Sequence, residues 1–81
     1  MKGLPPEAEQ AFKEYCSDIG VDLHMWTEDS PALEIDEDFL YNGNRLYEWS
    51  AHAKHGLQLY VVIEQLPDGE YFVCEFQIAG D

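Results

Sequence analysis

Carboxylates are the side chains in this sequence whose type and spacing most plainly suggest chemistry. Glu28, Asp29, Glu34, Asp36, Glu37 and Asp38 crowd into one short stretch. Like charges at this density repel one another and cost folding free energy, so they call for a reason. One reason is solubility, a solvated face with no further role. The other is a surface for a basic partner. On a strand, Glu34, Asp36 and Asp38 would share a face at intervals of about 6.5 to 7 Å. That spacing is of the order of the phosphate repeat in a nucleic-acid strand, and the Arg and Lys side chains that grip phosphate also grip carboxylate. The same residues offer oxygens to calcium, but Asp36-Glu37-Asp38 lacks the glycine and the distal glutamate that an EF-hand loop requires.

The remaining candidates are weaker. His52 and His55 are three apart and would share a helix face, with His24 as a third imidazole, yet His-x-x-His without a fixed third ligand is a poor metal signature. Imidazoles closing a helix C-terminus in an acidic protein explain the same pattern. Cys16 and Cys74 lie in apolar patterns without Cys-x-x-Cys spacing and are expected to be reduced, packed thiols. There is no Gly-x-Ser-x-Gly nucleophile setting and no glycine-rich phosphate loop, so neither an enzyme nor a cofactor is expected. Aromatic residues are plentiful at 14%. Trp26, Tyr41 and Trp49 stand out as interface anchors, since Trp and Tyr join a large apolar body to a polar tip.

Overall charge narrows the function classes. The 81 residues carry 17 Asp and Glu against 4 Lys and Arg, a formal net charge of −13. Such a chain cannot neutralise phosphates, which argues against direct nucleic-acid binding and against anionic membranes. No apolar run is long enough to span a bilayer, and the first residues lack the apolar core of a signal peptide, so a cytoplasmic protein is expected. The length suits a single domain, residues 1–81, with a modest core.

The elements that must position these groups follow from periodicity. Pro5 and Pro6 open a helix whose apolar stripe is Ala8, Phe12, Cys16 and Ile19, with Gly20 as its stop. Residues 21–26 alternate as a strand, residues 27–31 form a turn, and residues 32–41 alternate again with carboxylates outward. Asn42-Gly43 is a strong hairpin signal that would make a strand of the following residues. Leu46, Trp49 and Ala53, however, fall on one helical face, Asn44 suits an N-cap and Gly56 a stop, and a helix over residues 45–55 is preferred.

Residues 57–79 read as a β-hairpin turning on Pro67-Asp68-Gly69. Its register pairs Glu64 with Phe72, Val62 with Cys74 and Tyr60 with Phe76. Leu59, Val61, Ile63, Tyr71 and Val73 then lie on the other face. The first helix is expected on the face of Val62, Cys74 and Phe76, leaving the other to the middle helix or to a partner. The fold expected is a small α+β domain in the order α-β-β-α-β-β, with an antiparallel sheet of about four strands and one or two helices.

Together these features predict an acidic inhibitor that docks on a basic, nucleic-acid-binding surface of a target protein, as a monomer or homodimer. Glu28, Asp29, Glu34, Asp36, Glu37, Asp38, Trp26, Tyr41 and Trp49 are the expected contacts. Phage anti-defence proteins, among them anti-CRISPR and anti-restriction inhibitors that mimic DNA, are the kind of protein this describes. An immunity protein or antitoxin capping a basic nuclease is a neighbouring alternative. A small metal-dependent enzyme using His24, His52 or His55 with nearby carboxylates is the alternative from another class.

Overall fold

The chain begins with one helix, α1, Pro6–Ile19, and the reasons for its limits are local. Pro5 precedes it in an extended conformation, Pro6 occupies its first turn, and Glu7 and Glu9 sit near the positive end of its dipole. Gly20 ends it at φ 80°, where the Val21 amide donates to the Cys16 carbonyl at 2.8 Å. The helix buries Ala8, Phe12 and Cys16, one residue per turn. Ile19 falls outside the buried stripe and is exposed. The computed structural model describes residues 1–35 and 44–80.

Among the described residues, five antiparallel strands form the sheet: β1 Thr27–Glu28, β2 Leu33–Glu34, β3 Leu46–His52, β4 Gln58–Gln65 and β5 Tyr71–Ala79. Its order is β1-β3-β4-β5, and β2 pairs with β3 farther along the same edge as β1. The fold is thus a small α+β domain with an antiparallel sheet. The order of elements differs from the expected one at three places.

Residues 45–55 are not a helix. Leu46–His52 is a strand whose Tyr47, Trp49 and Ala51 face the core while Glu48, Ser50 and His52 face away. It pairs along its whole length with β4, and with β1 and β2 on its other side. Burial of aromatic residues between two neighbours outweighs a helical spacing that only Leu46, Trp49 and Ala53 satisfied. Residues 21–26 are not a strand either. Leu23–Met25 is a single 3-10 turn, capped by the Asp22 carboxylate, which accepts from the His24 amide at 3.0 Å. Thr27 and Glu28, expected in a turn, form β1 instead. Of the strand expected over residues 32–41, Leu33–Glu34 is strand, while residues 36–41 lie outside the described residues, as does Asn42-Gly43.

The closing hairpin turns as expected. The Leu66 amide donates to the Glu70 carbonyl at 2.7 Å, the Asp68 carboxylate accepts from the Glu70 amide at 2.9 Å, and Gly69 takes φ 90°. Glu64 faces Phe72, but a β-bulge then intervenes and Val62 faces Glu75 rather than Cys74. One extra residue turns every later side chain of β5 to the opposite face. Phe76 consequently lies on the face of Leu59, Val61, Ile63 and Val73, and this is the face that α1 covers, contrary to the expected one. There Phe76 meets Phe12 at 6.4 Å and Tyr15 at 5.3 Å between ring centroids.

On the second face Leu46, Val62 and Glu64 are buried, and Ile35 is half-buried. Among the described residues no second helix of α type lies there, and no helix is long and apolar enough to cross a membrane.

Candidate functional site

The acidic stretch begins on β1, where the sheet splits its members between two roles. Glu28 faces Ala51 across the strand pair, which directs its side chain to the core side of the sheet. Its carboxylate accepts the indole N–H of Trp49 at 2.6 Å and the backbone amide of Lys2 at 3.2 and 3.4 Å. Trp49 is only 4% exposed and meets Phe12 at 5.4 Å with the rings 63° apart. A buried indole requires an acceptor, and Glu28 supplies it. Trp49 and Glu28 are therefore part of the fold's interior, with little of Trp49 left for a partner. Trp26 is half-buried against the same core.

Asp29 and Glu34, in contrast, point to solvent. Asp29 lies 2.6 Å from Nδ1 of His52, and Glu34 lies 3.5 Å from Nε of Arg45. Between them the edge strand is interrupted, and the gap is clasped by the N-terminal segment. The Ala32 amide donates to the Lys2 carbonyl at 2.8 Å, and a Cβ at Gly3, which takes φ 84°, would collide with the Ala32 backbone. Asp29, just after β1, and Glu34, at the end of β2, therefore flank this gap along the edge of β3. Asp36, Glu37, Asp38 and Tyr41 lie outside the described residues.

A second acidic surface escaped the sequence reading. Glu7 and Glu14, two turns apart on α1, join Glu70 of the β4–β5 turn around an open groove of about 420 Å³ that also has Gln10 and Tyr71 in its wall. Burial pushes the Tyr71 phenol above its ordinary pKa, and the neighbouring Tyr47 and Glu7 charges add to this. The heptad spacing of Glu7 and Glu14 was visible in the sequence. Their meeting with Glu70 depends on how the helix lies across the sheet.

Cations are few, and two of the four Lys and Arg, Lys13 and Arg45, are engaged in ion pairs. Glu9 takes the Met1 ammonium at 2.7 Å and Lys13 at 3.1 Å, which together hold its carboxyl below the usual range. Among the described residues, Glu9 and Glu34 are the carboxylates paired with permanent cations, and Asp29 contacts His52, which is charged only when protonated. Glu48 and Glu64 instead accept hydrogen bonds on the second sheet face, from Tyr60 at 2.8 Å and Asn44 at 2.7 Å. Burial, and then the Glu48 hydrogen bond, push the Tyr60 phenol up to about 12.

The three imidazoles do come together, though on no helix. His24 of the 3-10 turn, His52 at the end of β3 and His55 in the β3–β4 turn line one groove of about 700 Å³ with Met25, Thr27 and Lys54. His55 takes φ 67°, a left-handed conformation that non-glycine residues adopt at a cost. No three His, Cys, Asp or Glu side chains among the described residues are placed to hold one metal ion. What the groove does contain is an oriented histidine. Asp29 holds the His52 ring at Nδ1, 2.6 Å away.

Both thiols are free. Cys16 is buried, as expected, and desolvation pushes it up to about 11. Cys74, expected to be packed, is exposed because it is the extra residue of the bulge, and its thiol donates to the Val62 carbonyl at 3.4 Å.

No protein-family model, known protein or solved structure matches this chain.

Proposed function

We propose that this domain acts by binding a basic protein surface, as an acidic inhibitor of a nucleic-acid-binding target. The observation that carries the reading is the excess of outward carboxylate over available cation. Glu7, Glu14 and Glu70 surround one groove and are in no ion pair among the described residues, Asp29 and Glu34 stand beside His52 and Arg45, and the net charge is −13. A field of one sign speeds encounter with an oppositely charged partner and discourages wrong ones. Mimicry of a nucleic-acid backbone, as in anti-CRISPR or anti-restriction inhibition by a phage, fits this chemistry; so does capping of a basic nuclease by an antitoxin or immunity protein.

The test is to use the chain as bait for basic nucleic-acid-binding proteins, beside a variant with Glu34→Gln, Asp36→Asn and Asp38→Asn. The variant should fold normally and bind the captured partner more weakly, chiefly through a slower association rate, and added salt should have the same effect on the wild type. Equal binding by the variant, with no response to salt, refutes the electrostatic mechanism.

One observation favours a second reading, a small histidine-dependent enzyme. His52 is oriented by Asp29 at 2.6 Å beside His24 and His55. An activity abolished by His52→Ala in a variant that still folds would support it over the first.

A further inference from the structure

The two edges of the sheet are built differently. On one side β1 and β2 are two residues each and are separated by the clasped gap. Short, interrupted edges of this kind resist pairing with another chain. The other edge is β5, nine residues long, which pairs only with β4 among the described residues. Among the described residues its protection is slight, consisting of the bulge and the charge of Glu75. Phe72 is 55% exposed and Ile78 is 46% exposed, on opposite faces of this strand.

We propose that β5 is the docking edge, and that the partner adds an extended segment carrying Lys or Arg as a further strand. Main-chain hydrogen bonds along the edge would supply affinity, while Phe72 and Ile78 would receive alternate side chains of the incoming segment. Charge decides the occupant. If a second copy paired antiparallel about the middle of β5, Glu75 would face Glu75 of that copy. Like charges directly opposite are destabilising, and each chain carries −13 besides. A basic segment instead finds Glu70 and Glu75, both exposed, along the strand and just before it. The charge of the occupant rests on the function proposed above; the place of docking does not.

Three synthetic peptides of equal length separate these points when titrated into the isotope-labelled full chain: alternating Lys and Val, alternating Glu and Val, and a Lys, Gly and Pro peptide that matches the first in charge but cannot form a strand. The Lys/Val peptide should shift the β5 amide resonances, slow their hydrogen exchange and bind at least about tenfold more tightly than the Lys/Gly/Pro peptide, since several backbone hydrogen bonds separate the two. If the Lys/Val peptide leaves β5 unperturbed, or if the Lys/Gly/Pro peptide binds as tightly, the docking edge is wrong, whatever becomes of the acidic reading. If the Glu/Val peptide protects β5 as well as the Lys/Val peptide does, the edge stands and the basic occupant falls. Protection of β5 that instead grows with protein concentration alone would assign the edge to a second copy and overturn the proposal.

Discussion

Removing the Glu28 carboxylate should destabilise the fold rather than weaken binding. In Glu28→Ala the indole N–H of Trp49, 4% exposed, loses its acceptor at 2.6 Å, and the Lys2 amide loses its contact as well. A hydrogen bond to a charged group contributes about 1.5 to 3 kcal/mol, and an unpaired buried donor costs a similar amount, so a loss of about 2 to 3 kcal/mol is expected. A domain of this size has roughly 4 to 12 kcal/mol in total. The substitution therefore removes a large share of it. At about 4 to 8 °C per kcal/mol, the melting temperature should fall by roughly 10 to 20 °C. Glu28→Gln keeps an acceptor but not the charge and should cost about half as much. The assay is urea unfolding followed by far-ultraviolet circular dichroism, in a double-mutant cycle with Trp49→Phe. A coupling energy of at least about 1 kcal/mol is expected. If Glu28→Ala unfolds within about 0.5 kcal/mol of the wild type, or if the cycle shows no coupling, Glu28 does not act through Trp49 and the assignment is wrong.

The titratable groups give two further expectations. Tyr60, pushed up to about 12 by burial and by Glu48, should add stability that is complete below the ordinary tyrosine pKa of about 10 and is lost as pH rises towards 12. Stability measured between those values should fall more steeply in the wild type than in Tyr60→Phe; parallel curves would contradict the assignment. Thiol titration with a disulfide reagent should modify exposed Cys74 in the native protein, more slowly than a free thiol because burial and the nearby Glu64 raise its pKa, while buried Cys16, held up to about 11, should react only on unfolding. Prompt reaction of both thiols without denaturant would contradict the packing of α1.

What the sequence made legible was local. The stripe of Ala8, Phe12 and Cys16 and the stop at Gly20 are fixed within a few turns, and Pro67-Asp68-Gly69 determines its own turn. Residues 46–53 satisfy two periods at once, because Leu46, Trp49 and Ala53 suit a helix while Tyr47, Trp49 and Ala51 suit a strand. Strands on both sides of this segment settle the matter, and no window of neighbouring residues contains them. The bulge at Cys74 was hidden for a related reason. An apolar run with cysteine and phenylalanine in it can be phased either way until a helix claims one face.

Candidate site residues divided along the same line. That a buried tryptophan would need an acceptor was foreseeable, but that Glu28, far away in sequence, would provide it was not. The gathering of His24, His52 and His55 likewise needed β1 beside the end of β3. Asp29 and Glu34 are exposed as carboxylates are expected to be, but that Glu28 beside them turns to the core side was set by the pairing of β1 with β3.

The clasp of Lys2 and Gly3 over the interrupted edge has a consequence for stoichiometry. A sheet with two open edges can pass an added strand on to the next molecule, and association of that kind has no natural end. Here the clasped edge terminates the series. A strand received at β5 would meet, among the described residues, no equivalent long edge on the far side of the same sheet, so docking there would give a closed pair, one domain with one partner segment, rather than a filament.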